Sequence, residues 1–231
     1  MKLIERGILL HSMQPFEVHL LSLTDLDAIL TLQGKVVASL EDKAVLAPLT
    51  RDDFQYILEG NGLMIGAFVD EQLIAFRALM VPLIDEDHLG RDIGLTKEEL
   101  ASVIYQEISN VHPAYRGNRL QQTLATIIMK ELAKQNKTYA YVCCTVAPFN
   151  IPSLKDKFAQ GMEIAALKEK YGGKLRYIFV KELKEGRQKT EAAVRTLRMD
   201  DTAGQQALLA DGWRCFQMAN RNGDYWVDFR K

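Results

Sequence analysis

The sequence predicts an α/β (α+β) chain in which a mixed sheet carries helices on both faces and a helix–strand extension follows at the C-terminus. Three observations predict it. Apolar strand-like runs alternate with capped amphipathic segments in the order strand, two helices, hairpin, strand, long helix, strand, short helix, hairpin. One segment repeats apolar residues at helical spacing over several turns, through Leu120, Leu124, Ile127, Ile128 and Leu132. Hydrophobic residues make up 48% of the 231, enough for one large domain or a domain with an appendage.

Bulk composition narrows the function classes. Formal net charge is -1 with a pI near 6.4, so nothing draws the chain generally to nucleic acid or to an acidic membrane. Charged residues at 26% argue against disorder. Cys143 and Cys144 are adjacent in an apolar run and Cys215 stands alone, a pattern read as reduced thiols in a cytoplasmic protein. The opening Met1–Leu10 is too charged and its apolar part too short for a signal peptide, and no membrane span is expected. No His/Cys/Asp spacing predicts a metal.

Residues 1–15 read either as an ordered lead-in or as an edge strand, and Glu17–Leu23 as a first strand. Thr24-Asp25-Leu26-Asp27 has the form of a capping box, opening a helix with Leu26, Ile29, Leu30, Val37 and Leu40 as its stripe. After a polar joint near 41–43, a second box, Thr50–Asp53, opens a helix with Phe54, Ile57 and Leu58 inward. Gly62–Val69 and Gln72–Val81 form a hairpin across Asp70-Glu71. Pro82–Leu95 reads as a solvated loop with the acidic run Asp85–Asp87, and Thr96–Glu99 starts a short helix.

A strand then ends at Pro113, turns through Arg116-Gly117 and enters the long helix. Such a junction leaves backbone N–H groups unpaired at the positive end of a helix dipole, which suits phosphate oxygens. Thr138–Val146 reads as a strand buried on both faces, followed by a helix from Asn150 to Ala159 that stops at Gly161. Gly172-Gly173 signals a two-residue hairpin turn between Glu163–Tyr171 and Lys174–Leu183. Residues 184–189 read as a linker. The tail beyond it, with a helix near Ala203–Ala210 and strands at Trp213–Met218 and Tyr225–Phe229, either extends the main sheet or pairs with a second copy as a homodimer.

The wording of the junction adds to its geometry. Val111-His112-Pro113-Ala114-Tyr115-Arg116-Gly117-Asn118-Arg119-Leu120 resembles the acyl-CoA loop of the GNAT superfamily of N-acyltransferases, with Arg119 and Gln121 where that family usually has glycine. Phe149-Asn150-Ile151-Pro152-Ser153-Leu154, followed by Gly161-Met162, resembles a second signature of the same family. The element order matches from about Glu17 to Leu183, with a mostly antiparallel sheet implied. The resemblance implies that the strands carrying Val111 and Val146 are parallel neighbours that splay apart around pantetheine. It also implies acetyl-CoA (CoA) as co-substrate, held by Asn110 and Val111, by Arg116, Gly117, Asn118, Arg119, Leu120, Gln121 and Gln122 around the pyrophosphate, and by Asn150 and Ser153.

The reaction implied is attack of a primary amine, on a small molecule or peptide, upon the thioester. Candidate catalytic groups are Glu107 as base, Lys157 where many relatives carry a tyrosine acid, and Tyr171 beside the Gly-Gly turn. Each has a plainer reading: Glu107 as a solvated strand-edge carboxylate, Lys157 as a surface lysine, Tyr171 as an edge of the acceptor pocket. Asp85–Asp87 is a candidate attractor for a cationic amine. Thr145 stands where some relatives carry a glutamate, which keeps a non-catalytic acyl-CoA-binding or sensing module as the alternative, with a dimeric scaffold as a third.

Overall fold

The computed structural model of the chain describes residues 2–41, 47–183 and 193–231. The linker expected at 184–189 and most of the joint at 41–43 lie outside the described residues. In order, the elements are β1 (Lys2–Ile8), β2 (Pro15–Leu20), α1 (Leu26–Ala38), α2 (Arg51–Tyr56), β3 (Gly62–Val69), β4 (Gln72–Met80), α3 (Leu89–Asp92), β5 (Val103–Val111) and α4 (Leu120–Ala133). Then follow β6 (Tyr141–Val146), α5 (Ile151–Ala159), β7 (Glu163–Lys170), β8 (Lys174–Glu182), β9 (Val194–Arg198), α6 (Thr202–Ala210), β10 (Arg214–Arg221) and β11 (Asp224–Arg230). They form two compact units. Unit 1 holds Met1–Val81 and Gln106–Thr138, and unit 2 holds Pro82–Tyr105 and Tyr139–Lys231, with β5 contributing to each.

In unit 1 the strand order is β1-β2-β3-β4-β5. The lead-in is an edge strand, since β1 pairs antiparallel with β2 from Lys2↔Leu20 to Ile8↔Pro15. The β3–β4 hairpin turns at Asp70 and Glu71, whose φ values of 47 and 64 give the left-handed pair that a tight hairpin requires. Thr50 and Asp53 make the expected box: the Asp53 carboxylate accepts from Thr50 N at 2.8 Å, and Asp53 N donates to Thr50 Oγ1 at 3.2 Å. The first box is displaced, because Asp25 instead accepts from Ser22 N (2.8 Å) and Ser22 Oγ (3.1 Å), closing a single 3-10 turn before α1. The buried apolar stripe of α1 runs Leu26, Ile29, Leu32 and Val36 rather than through Val37 and Leu40.

These residues join Phe54, Ile57, Met64, Phe76, Ala78 and Ile108 in one apolar cluster. Each large side chain so buried contributes roughly 1.5–3 kcal/mol. Strand alternation sends the next residue, Arg77, to the opposite face, where α4 lies with Leu120, Leu124, Ile127, Ile128 and Leu132 all buried.

In unit 2 the order is β5-β6-β8-β7-β10-β11-β9. The parallel pair is β5–β6, through Val103↔Tyr141, Ile104↔Val142 and Tyr105↔Cys143, and the other described pairings in either unit run antiparallel. Val142, Cys143 and Cys144 are consecutive and buried, as a strand covered on both faces requires. On one face Tyr177 donates to Gln205 of α6 (2.9 Å) and Phe179 meets Phe158 of α5; on the other, Lys170 reaches Asp92 of α3 (2.9 Å).

The β7–β8 turn has three residues, not two: Tyr171 joins Gly172 and Gly173 with φ of 53, 78 and 87. Pro82–Leu95 is not simply solvated, since it folds α3 and buries His88 and Leu89. The tail extends the sheet of this unit: β10 meets β7 at Cys215↔Ile164, and β9, whose sequence carries no strand signal, pairs with β11.

Two glycines of unit 1 give a paired test of this packing. A Cβ on Gly62 would lie 2.2 Å from the Leu79 carbonyl oxygen, whereas Gly34, inside α1, has nothing within 4 Å. Gly62→Ala is expected to lower stability by about 2–3 kcal/mol, and Gly34→Ala to raise it by about 0.5–1 kcal/mol. Urea melts of both variants check this.

Candidate functional site

The junction after β5 is built by local rules. His112 N donates to the Ile74 carbonyl on β4 at 2.8 Å, and Pro113 then ends the ladder because it has no N–H. Pro113–Tyr115 forms one 3-10 turn, with Tyr115 N on the His112 carbonyl (2.9 Å) and Arg116 N on that of Pro113 (3.4 Å). Gly117 at φ 85 and Arg119 at φ 56 bring the chain into α4. Arg119 thus holds the left-handed conformation that glycine normally supplies, at a cost of roughly 1–2 kcal/mol. The apolar stripe of α4 outweighs that cost several times over.

The consequence is a row of free donors. Thr123 N is the first amide with a carbonyl, that of Arg119 at 3.0 Å, and no side chain caps the helix. Among the described residues, no acceptor is bonded to the amides of Gly117, Asn118, Arg119, Leu120, Gln121 or Gln122. Arg116 is tethered to Ser39 Oγ at 2.8 Å, while Arg119 is exposed. Beneath the first turn, buried Arg77 donates to the Gln121 carbonyl (3.2 Å) and to Gln106 Oε1 (2.7 Å), a fixed cation behind the helix start.

Upstream on β5, Asn110 is 1% exposed and its Nδ2 has no partner, and Ser109 Oγ is likewise unbonded. A buried amide donor left this way costs about 1–3 kcal/mol until an acceptor reaches it. Val111 is partly buried at the strand's end. Glu107 is not the solvated edge carboxylate of the plainer reading. Burial, with a smaller push from the Asp53 carboxylate, raises its pKa to about 7. Unit 1 therefore gathers Glu107, Asn110, Val111 and the run from Arg116 to Gln122.

Unit 2 holds the remaining candidates. Phe149, at φ 63, turns the chain after β6, and Asn150 Oδ1 accepts from Ser153 N at 3.3 Å as the cap of α5. Lys157, on the same helix, is buried and paired with Asp156 at 3.4 Å, contrary to the expectation of a surface lysine. Tyr171 is 57% exposed, with its hydroxyl 3.3 Å from Thr145 Oγ1. The acidic loop is largely engaged within the unit: Asp87 pairs with Lys170 at 3.4 Å, and Asp85 accepts from Asp87 N (3.0 Å) and, through its carbonyl, from Arg91 (2.9 Å).

All three cysteines are free and buried, and burial lifts the Cys143 and Cys215 thiols far above the usual range, which leaves them poor nucleophiles. No three metal-ligating side chains gather among the described residues. Sequence reasoning missed His11, Ser39 and Arg77. Each reaches the loop from 44 to 107 positions away, and no local pattern announces such a contact.

No protein-family model matches the chain, and no curated protein matches it in sequence. Solved structures do match in fold. The ribosomal-protein-S18-alanine N-acetyltransferase of Escherichia coli superposes with a TM-score of 0.55 at 16% identity, over 76% of this chain and 98% of that one. Arabidopsis thaliana NAA60 in complex with acetyl-CoA gives 0.57 at 16%, over 73% and 98%. The PaiA N-acetyltransferase of Thermoplasma acidophilum in complex with coenzyme A gives 0.51 at 15%, over 72% and 98%. Identities this low speak for architecture alone, and that architecture is the fold of the GNAT N-acetyltransferases.

Proposed function

We propose that this chain is an acyl-CoA-dependent N-acyltransferase that moves an acetyl group from acetyl-CoA to a primary amine of a small molecule or peptide. The observation that carries this reading is the unbroken row of unbonded amides from Gly117 to Gln122 at the start of a 14-residue helix. The fold shared with acetyltransferases crystallised with acetyl-CoA and CoA supports it.

Acetyl-CoA would supply the acyl group as a thioester, together with a diphosphate. The loop amides and the exposed Arg119 guanidinium then take the diphosphate oxygens, assisted by the helix dipole and the buried charge of Arg77. The backbone of Asn110 and Val111 pairs with the pantetheine amides as an added strand would, and the orphaned Asn110 Nδ2 offers a further donor.

Glu107, with a pKa of about 7, is part ionised at neutral pH and accepts the proton that the amine loses. As the C–N bond forms and the C–S bond breaks, the thiolate takes a proton; the Lys157 ammonium is our assigned donor, with the Tyr171 hydroxyl as its alternative. Asn150 and Ser153 line the start of α5 as cofactor contacts. Free thiols are consistent with a reducing, cytoplasmic setting, and no helix among the described residues is long and apolar enough to cross a membrane. The rival, a binding or sensing module without turnover, is favoured by Thr145, whose hydroxyl is engaged with Tyr171 where some GNAT enzymes place a glutamate.

Isothermal titration is expected to show CoA and acetyl-CoA binding below millimolar concentration; no binding at millimolar ligand contradicts the reading. Thiol release from acetyl-CoA with an amine panel separates the enzyme from the sensor. For Glu107 the fold binds the proton more tightly than the unfolded chain does. Its ionisation therefore carries a stability cost that sets in as pH rises from about 4.5 to about 7 and remains in full above. Glu107→Gln should accordingly gain about 1–3 kcal/mol at pH 8 and little at pH 4.5. It should also lose about 100-fold in kcat/KM, together with the rising limb near pH 7.

A further inference from the structure

We propose that His11, on the turn between β1 and β2, is a phosphate-binding residue of the loop after β5, so that the N-terminal hairpin is part of the nucleotide-phosphate site. This rests on the CoA-binding reading above and extends it to a segment 107 positions from Asn118 in sequence, outside the motif that suggested it.

The turn is built to hold one shape. Leu9 is 1% exposed, its amide donates to the Gln14 carbonyl (2.9 Å), and Met13 N donates back to the Leu9 carbonyl (3.0 Å). Met13 takes a left-handed φ of 58, which an unconstrained methionine avoids. The turn then meets the loop twice. His11 N donates to Asn118 Oδ1 at 3.0 Å, and Asn118 Nδ2 donates in turn to the Tyr115 carbonyl at 3.1 Å. The His11 ring lies against Gly117, where a methyl group would come within 2.8 Å of Nε2. Gly117 is thus required both by its φ of 85 and by the imidazole over it.

Packing on Gly117 places the ring but does not use its nitrogens. Among the described residues, His19, His88 and His112 each hydrogen-bond through a ring nitrogen, and His11 has no ring partner. It is exposed and packs on Gly117, whose amide has no bonded acceptor among the described residues. Arg116, the nearest motif cation in sequence, is committed to Ser39. Arg119 and Gln121 put side chains where glycines would let phosphate come closer to the backbone. A side-chain donor from outside the loop restores what that bulk removes. The shared chemistry is a phosphate oxygen, whether of the diphosphate or of the ribose 3′-phosphate.

Titration of CoA and dephospho-CoA into the full chain and its His11→Ala and His11→Gln variants tests this. His11→Ala keeps the backbone bond to Asn118 and should weaken CoA about tenfold without changing the melting temperature. His11→Gln, which retains an N–H near the position of Nε2, should lose less. An equal loss with dephospho-CoA assigns the contact to the diphosphate, and a loss confined to CoA assigns it to the 3′-phosphate. Unchanged CoA affinity in His11→Ala overturns the inference alone. So does a loss that His11→Gln reproduces in full alongside a lower melting temperature. No CoA binding by the unsubstituted chain overturns it together with the functional reading.

Discussion

Six successive backbone donors with no acceptor among the described residues, from Gly117 to Gln122, are the constraint on which unit 1 turns. A helix must begin somewhere, and its first amides are always surplus. No side chain is supplied to cap them, whereas α2, α5 and α6 in the same chain each receive a cap from Thr50, Asn150 and Asp201, and α1, likewise without a side-chain cap, is led in by the Ser22–Asp25 turn. Among the described residues these donors are left open to a ligand.

The surroundings hold that opening in place. The buried stripe of α4 fixes the helix on the β3–β4 side, Arg77 grips its first turn through the Gln121 carbonyl, and the β1–β2 turn braces Asn118. The left-handed Arg119 is the local penalty, small beside the apolar area buried behind it. On β5, Asn110 and Glu107 share the same logic: a buried amide without an acceptor and a carboxyl whose charge burial disfavours. Groups that weaken the isolated fold are retained where a ligand or a proton transfer can use them.

Much of this was legible because its causes are local. The heptad-like spacing of α4, the Thr50–Asp53 box, the Asp70-Glu71 turn and the Asn150 cap are each written within a few residues. Errors arose where two local signals competed. Ser22 took the cap expected of Thr24, and Tyr171 entered a turn that Gly172-Gly173 could have made alone. Strand β9 was missed because Val194–Arg198 has little apolar pattern and is held by its pairing with β11. The part-burial of Glu107 beside Asp53 and the contact of His11 with the loop depend on partners far along the chain, and periodicity carries no trace of them.

The central claim is that these open amides grip a diphosphate. Amide hydrogen exchange with and without CoA measures it at the atoms concerned. The account predicts fast exchange at residues 117–122 in the free chain and at least tenfold slowing with saturating CoA. Exchange there that is already slow in the free chain, or that CoA leaves unchanged while binding elsewhere, would contradict it.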